Sequence, residues 1–542
     1  MFTPLRRGNG TPACPGGSIN HQNKQNESGR VMRAAVIDIG SNSIKLIVGQ
    51  TEGDSFTVLE FLKNIVPIGK NTFFRGGIAQ STTKLIIDVL ERYKKTLQEY
   101  EVTNVTVVAT TAVREAANKD IFVDTIQRKT GWPVDVLTVG DVVYYIDSYL
   151  SFKLENTYPI HGKNVLIAEL GSGSLDISAM EKGFTLMNIG LPIGTLRVKQ
   201  LISKLDGGAG EVHQAVEQFI ANEFASLKRY LPFAEVDDVI LLDETYAAYL
   251  DNVLPGQEHT AKFSLLGEER AQSLVTELSE KTSEEIMHAY RIPFEIAETI
   301  DACALVLKNF VALSRNRTVC LLETSLAEAV LANLLLGIKL SQRYDKTNQL
   351  MSIAQYLCRK YQVDYVHARH VADLCRMLFS SLKEMLGLRD EDLLYLLLAG
   401  YLHDIGSFIH NRAHHKHSEY VINSLSLFRL SAVEIKTIAC IARYHRKGAP
   451  SPAHPLYNSL PPEHQLLVQK LCSLLRMANA LDTSHRQKVA KLKVKVNPGQ
   501  EVVVSAFTTD NFLLERAAFL AEKDYFEDIT GAKVIFEVRE QR

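Results

Sequence analysis

A ten-residue signature occurs twice in this 542-residue chain, and that repeat constrains the fold more than any other feature. Residues 37–46 read IDIGSNSIKL, and residues 168–177 read AELGSGSLDI. Both follow one order: carboxylate, aliphatic, Gly, Ser, small or polar residue, Ser, aliphatic. Apolar residues lead into each copy, Ala34 to Ile37 and Val165 to Ala168, and read as buried strands. Asp38 and Glu169 then fall at strand ends, where a carboxylate can hold a hard cation such as Mg²⁺. Gly40 and Gly171 permit a tight turn. Ser41, Asn42 and Ser43 in the first copy offer backbone N–H and hydroxyl donors, as do Gly171, Ser172, Gly173 and Ser174 in the second. An anion cradle needs such donors. One copy alone would read as an ordinary strand and turn. Two copies predict related lobes facing each other across a phosphate-holding cleft.

The rest of the chain is consistent with that duplication. Its length predicts about three or four domains at roughly 150 residues each. Residues 1–31 are rich in Gly, Asn, Pro and Gln and lack an apolar h-region. They read as a disordered segment rather than a signal peptide, with Met1 or Met32 as the natural start. The first α/β lobe is expected over 32–157. It would hold a hairpin (34–49, 56–66), a helix at 80–100, a strand at 104–109, a helix at 114–130, a strand near 134–138 and a helix from Asp141. The second lobe is expected over 158–342, with a strand at 164–170 and helices at 211–229, 267–289 and 293–314. Residues 343–490 have helical period nearly throughout and predict an all-α domain. Residues 491–542 predict a small α/β cap, with a hairpin around NPGQ, a helix at 510–524 and a strand near 533–538.

Bulk charge narrows the function classes. The 60 basic and 62 acidic side chains leave a net charge of −2, which gives no whole-protein drive toward nucleic acid. A polyanionic ligand would need a local basic cleft. No apolar run approaches the ~20 residues that span a bilayer, so no membrane association is expected. The seven cysteines fall singly, without a C-x-x-C pair, which suits a reducing cytoplasm.

The motifs resemble those of the exopolyphosphatase and guanosine pentaphosphate phosphatase family. Asp38 to Leu46 resembles its D-[LI]-G-S-N-S-x-x-L loop. Glu169 to Asp176 resembles its D-[IL]-G-G-G-S-x-E loop with substitutions. Thr110, Ala112, Arg114 and Ala116 fit T-x-A-x-R-x-A, and Pro192-Ile193-Gly194 with Arg197-Val198 fits P-[LI]-G-x-x-R-[LV]. The resemblance implies a duplicated actin-like, ribonuclease-H-like ATPase superfold and a homodimer. It also implies hydrolysis of a terminal phosphoanhydride of inorganic polyphosphate or guanosine pentaphosphate (pppGpp). Asp38, Glu169 and Asp176 would hold Mg²⁺ in the interlobe cleft, the two loops would cradle the phosphate, and Arg114 would clamp its oxygens. The family's general base is the second Glu of G-x-E-E-A. Here that stretch reads Val139-Gly140-Asp141-Val142-Val143, so valine stands at the base position and Asp141, one residue away, is the candidate substitute. A catalytically weakened polyphosphate- or alarmone-binding regulator is therefore the alternative reading.

A second constellation is histidine. Eight of the sixteen histidines lie between 367 and 445. LHDIG at 402–406 resembles the HD metal-phosphohydrolase superfamily, whose pattern is H…HD…D. That resemblance implies a second divalent metal held by His367, His403 and Asp404. His414 to His417 and His445 are further ligand candidates, and Asp482 is the weak match to the last Asp. A third reading places phosphohydrolase chemistry there.

Overall fold

The computed structural model describes residues 31–540, apart from 156–157, 159, 243–258, 261–262, 447 and 500. The expected disordered segment 1–31 thus lies almost wholly outside the described residues. In the first lobe, β1 (Arg33–Ile39), β2 (Ser43–Glu52), β3 (Ser55–Ile65), β4 (Val105–Ala109) and β5 (Val134–Val136) form a sheet in the order β3-β2-β1-β4-β5. In the second, β6 (Asn164–Leu170), β7 (Leu175–Glu181), β8 (Phe184–Leu191), β9 (Asp238–Leu242), β10 (His259–Thr260), β11 (Phe263–Gly267) and β12 (Thr318–Leu322) are ordered β10-β11-β12-β9-β6-β7-β8. Read from its hairpin edge, the second sheet runs β8-β7-β6-β9-β12 and repeats the first. β1 pairs antiparallel with β2 and parallel with β4, as β6 does with β7 and β9. The central strands β1 and β6 are buried along almost their whole length, which is why both read as unbroken apolar runs.

The differences from the sequence expectation have local causes. The first arm of the hairpin expected over 34–49 and 56–66 is itself two strands, because the Gly–Ser loop turns the chain between Ile39 and Ser43. The helix expected over 114–130 starts at Lys119 after a short turn of helix, Thr111–Arg114. Asn118 accepts from Ile78 N–H and donates to Ile78 O, which fixes a non-helical junction. The helix expected over 267–289 breaks at Thr282, whose hydroxyl and Glu285 form a capping box that starts a new helix.

Two helices, Val139–Lys153 and Leu326–Arg343, pack on each other between the sheets and carry the core that joins the lobes. At its edge sits Asp147, fully buried, accepting from Ser178 Oγ at 2.8 Å, Thr185 Oγ1 at 2.8 Å and Tyr344 OH at 3.3 Å. Burial outweighs those three hydrogen bonds and pushes its carboxyl up from the ordinary 3.8 to about 7. A carboxyl raised on folding contributes stability that is complete below its unfolded pKa and is lost as pH rises through the folded one. Stability is therefore expected to fall between about pH 4 and 7 by on the order of a few kcal/mol. Asp147→Asn should flatten that fall in denaturant titrations run across the window; an unchanged slope would show that Asp147 is ionised in the folded protein.

Past Asp345, which caps the helix Lys346–Lys360, the chain is helical. The helices Tyr365–Leu386, Asp392–Leu402, His414–Asn423, Ala432–Arg443 and Pro462–Ala480 form a bundle. The cap of β13 (Lys491–Asn497), β14 (Glu501–Thr508), β15 (Lys533–Glu540) and the helix Leu513–Thr530 shares one apolar core with it. No helix among the described residues is long and apolar enough to cross a membrane.

Candidate active site

The two Gly–Ser loops have one geometry. Gly40 N–H donates to Ser43 O at 3.0 Å, and Gly171 N–H donates to Ser174 O at 2.9 Å. Ser41 O accepts from Gly69 N–H at 2.7 Å, and its counterpart Ser172 O accepts from Leu196 N–H at 3.0 Å. The loops meet across the lobes. Thr111 Oγ1 and Ser174 Oγ lie 2.8 Å apart, and a Cβ on Gly173 would stand 2.6 Å from Ser41 Oγ. A side chain at 173 would thus displace the Ser41 hydroxyl and crowd Phe73 and Thr111 of the other lobe.

Between the loops lies a cavity of about 210 Å³. Ser41, Asn42, Ser43 and Gly171 to Ser174 line it, with Asp38, Glu169 and Asp176. Asp38 and Glu169 hold matching places at the ends of β1 and β6, but their cross-strand partners differ. Asp38 faces Lys45, at 3.9 Å between Oδ2 and Nζ, whereas Glu169 faces Asp176. One lobe thus offers a cation beside its carboxylate, and the other offers a second carboxylate. Burial pushes the Asp176 carboxyl up, opposed in part by the Arg114 guanidinium 4.0 Å away. Its Oδ1 is buried and makes no hydrogen bond. A buried carboxylate oxygen without a donor, in a cleft with Asp38, Glu169 and several hydroxyls, fits an oxygen-seeking divalent cation. The helices beginning at Val139, Thr195 and Leu326 place Val142, Thr195, Leu196, Ser325 and Leu326 on the same cavity. Their N-terminal ends favour anions there.

Two expected catalytic residues are engaged by other groups of the protein. Arg114 does not line the cavity: its guanidinium donates to Leu137 O at 2.8 Å and Thr111 Oγ1 at 3.1 Å. Its Nη2 also lies 4.0 Å from Asp176 Oδ2, and both Thr111 and Asp176 line the cavity. Asp141 faces away as well. Its Oδ2 accepts from Thr138 N–H and Oγ1, completing a capping box, and its Oδ1 accepts from Arg429 N–H at 2.7 Å. Val142, one residue on, reaches the cavity while 1% exposed. Helix geometry explains the outcome, since adjacent residues point about 100° apart. Asp141→Ala is therefore expected to lower stability by about 1 kcal/mol, the size of a hydrogen-bonded cap, without changing any rate of phosphate release. A loss of rate at unchanged stability would return Asp141 to the chemistry.

Lys45, Lys63 and Lys199 also line the cavity, as do Thr110, Thr111 and Thr195. Sequence reasoning missed the lysines, although alternation along β2 from Ser43 puts Lys45 on the loop's face and register pairs Lys45 with Lys63. Lys199 is paired with Glu298.

The histidine expectation brings its residues together. His367, His403, Asp404, His414 and His445 converge where five helix ends meet, near Asp482 and His485. Asp404 lies 3.3 Å from His403 Nε2, 3.1 Å from His414 Nε2 and 3.6 Å from His445 Nε2. Burial opposes its ionisation, but His403, His414 and His445 hold its carboxyl well below the usual range. Asp482, expected as a ligand, has both oxygens engaged: Oδ2 by His367 Nδ1 at 2.8 Å and by Gln487 Nε2, and Oδ1 by Gln487 N–H at 2.7 Å. It orients His367 instead.

Comparison with known proteins adds the following. The model of the Ppx/GppA phosphatase family matches residues 33–337, and that of its domain III matches residues 350–524. A guanosine-5'-triphosphate,3'-diphosphate pyrophosphatase from Pseudoalteromonas translucida is 24% identical over 464 residues, covering 82% of this chain and 86% of that one. Exopolyphosphatase 1 of Mycobacterium bovis is 25% identical over 169 residues, 31% of this chain and 48% of its own. A bifunctional 3-dehydroquinate synthase/phosphatase from Fusobacterium nucleatum is 27% identical over 179 residues, 31% of this chain and 26% of its own. The alignments with the last two thus span about half and about a quarter of those relatives. Among solved structures, the Aquifex aeolicus Ppx/GppA family member matches with a TM-score of 0.49 and 24% identity, over 57% of this chain and 99% of that one.

Proposed function

The chain belongs to the Ppx/GppA phosphatase family, and from that premise we propose that it releases the terminal phosphate of inorganic polyphosphate or pppGpp in the cleft between its lobes. The observation that carries this reading is the pair of Gly–Ser loops with matching hydrogen bonds, facing one cavity lined by Asp38, Glu169, Asp176, Lys45 and Lys63 among others. Phosphoryl transfer asks for positioning and charge neutralisation more than for covalent chemistry from the protein. The loop N–H groups and hydroxyls would hold the terminal phosphate, and Lys45 and Lys63 would meet its charge and that of the chain behind it. Asp38, Glu169 and Asp176 would hold Mg²⁺, which when bound neutralises charge on the transferring phosphoryl group. A water oxygen attacks the terminal phosphorus, the P–O bond to the bridging oxygen breaks, the shortened chain leaves with that electron pair, and the water's proton passes to solvent or to a phosphate oxygen of the products. Terminal-phosphate recognition is common to polyphosphate and pppGpp, and the long alignment with a pppGpp pyrophosphatase supports the second as much as the first.

Val142 favours slow turnover, and with it the rival reading of a polyphosphate- or alarmone-binding regulator. Valine accepts no proton, and a positioned base contributes about 10²–10⁴-fold. Val142→Glu directs a carboxylate into the cavity and is expected to raise phosphate release by about tenfold or more on that scale. The check is steady-state phosphate release from purified wild-type and variant protein. Binding of polyphosphate without turnover in either protein would establish the regulator instead.

A further inference from the structure

We propose that Glu298 makes the cleft discriminate among phosphate ligands by chain length. It holds Lys199 at the rim, so a long polyphosphate chain gains that cation only by breaking an ion pair, which a single phosphate between the loops leaves intact. The proposal rests on the reading that phosphate binds between the Gly–Ser loops, and concerns the part of the ligand that lies beyond them.

The cavity has a floor and a rim. Asp38 and Asp176 at its floor are 5% and 4% exposed. The side chains of Lys199 and Glu298 are 39% and 26% exposed, and Lys63, Ile65 and Glu295 are exposed as well. A terminal phosphate held by the loops would occupy the floor, and the rest of a chain must leave past the rim. On the first lobe the rim carries Lys63 and Ile65. On the second it carries Lys199, Glu295, Ile296 and Glu298.

The backbone fixes where the pair stands. Leu196 N–H donates to Ser172 O at 3.0 Å, which ties the helix Thr195–Ile202 to the second loop. Lys199 lies three residues after Leu196, on the same helix face. Its Nζ meets the Glu298 carboxylate. Glu298 follows the short helix Phe294–Ala297, and the next residue pins that segment: Thr299 Oγ1 donates to Glu295 O at 3.2 Å and to Ile296 O at 3.3 Å. Of the two partners, lysine has the flexible four-carbon stem and can turn to a ligand.

The charges then decide what passes. The second lobe's rim shows an emerging chain two carboxylates, Glu295 and Glu298, and one cation already engaged. A polyanion is repelled there unless Lys199 turns to it, and that turn leaves Glu298 bare beside the chain. Orthophosphate at the floor meets neither cost.

The test is equilibrium titration of the full chain with long-chain polyphosphate and with orthophosphate, in Mg²⁺ buffer. Glu298→Gln is expected to tighten polyphosphate binding about fivefold, the upper worth of a solvent-exposed ion pair, and to leave orthophosphate binding unchanged. Polyphosphate affinity should also fall more steeply with salt, by about 0.7 on log–log axes, the increment of one further cation on a single-stranded phosphate polymer. Lys199→Gln should weaken polyphosphate binding more in the Glu298→Gln background than in wild type. Glu269→Gln removes an equal charge from a residue that does not line the cavity and should change neither titration. Unchanged polyphosphate affinity in Glu298→Gln, equal tightening for orthophosphate, or a gain that survives Lys199→Gln would overturn the proposal. Lys45→Gln separates it from the reading beneath it. If that variant weakens polyphosphate binding while Glu298→Gln has no effect, the cleft reading stands and the role of Glu298 falls. If none of these substitutions alters binding, the chain binds elsewhere and both fall.

Discussion

Glu169→Gln is expected to slow phosphate release by about 10²–10³-fold, the usual consequence of deleting one preorganised electrostatic element from a site where charge moves. Glu169 ends β6 beside Asp176, and both line the cavity with Asp38. Glutamine keeps the shape and one oxygen but removes the charge. The lobe carrying Glu169 is the one with two carboxylates, whereas across the cleft Asp38 already lies near Lys45. Cation affinity should therefore depend more on Glu169 than on Asp38. A Mg²⁺ titration of the variant should show a higher ion requirement as well as a lower maximal rate. Wild-type kinetics in Glu169→Gln would mean that the ion is held elsewhere.

Gly194→Ala should be equally damaging for a steric reason. A Cβ at this position would stand 2.3 Å from Gly173 C, 2.4 Å from Ser174 N and 2.6 Å from Gly173 N. All three are backbone atoms of the second phosphate loop, so no side chain can rotate away. The loop must move, and it is tied to Thr111 of the other lobe through Ser174. The expected stability loss is at the upper end of the about 1–3 kcal/mol typical of overpacking. Because the displaced groups are those proposed to hold the phosphate, polyphosphate affinity should fall more than tenfold. Thermal unfolding and direct polyphosphate titration measure the two effects separately. Normal affinity in a destabilised variant would place the phosphate away from the loop at 171–174.

What the sequence made legible follows from periodicity and local chemistry. The unbroken apolar runs of β1 and β6 and the repeated Gly–Ser turns located both loops, and their matching hydrogen bonds follow from the repeat. Side-chain direction was harder to read. Arg114 and Asp141 sit close in sequence to residues that reach the cavity, yet one braces Leu137 O and the other caps a helix against Arg429. The Arg429 contact links residues 288 positions apart, and no local pattern announces it. Lys45 and Lys63 were recoverable from strand alternation and register, but only once the β2–β3 pairing was known. In the helical domain the His-Asp pair marked where the histidines gather, while the engagement of Asp482 by Gln487 and the stacking of His485 on His367 depend on a turn after the helix Pro462–Ala480. Such a turn carries no repeating pattern from which it could have been read.

The most direct test of the central claim is orthophosphate release from long-chain polyphosphate and from pppGpp by the purified wild-type chain, with and without Mg²⁺. The interlobe-cleft account predicts slow, Mg²⁺-dependent release of terminal phosphate from at least one of them, lost in Glu169→Gln. No release from either, or release that persists without Mg²⁺ and is indifferent to Glu169→Gln, would contradict it.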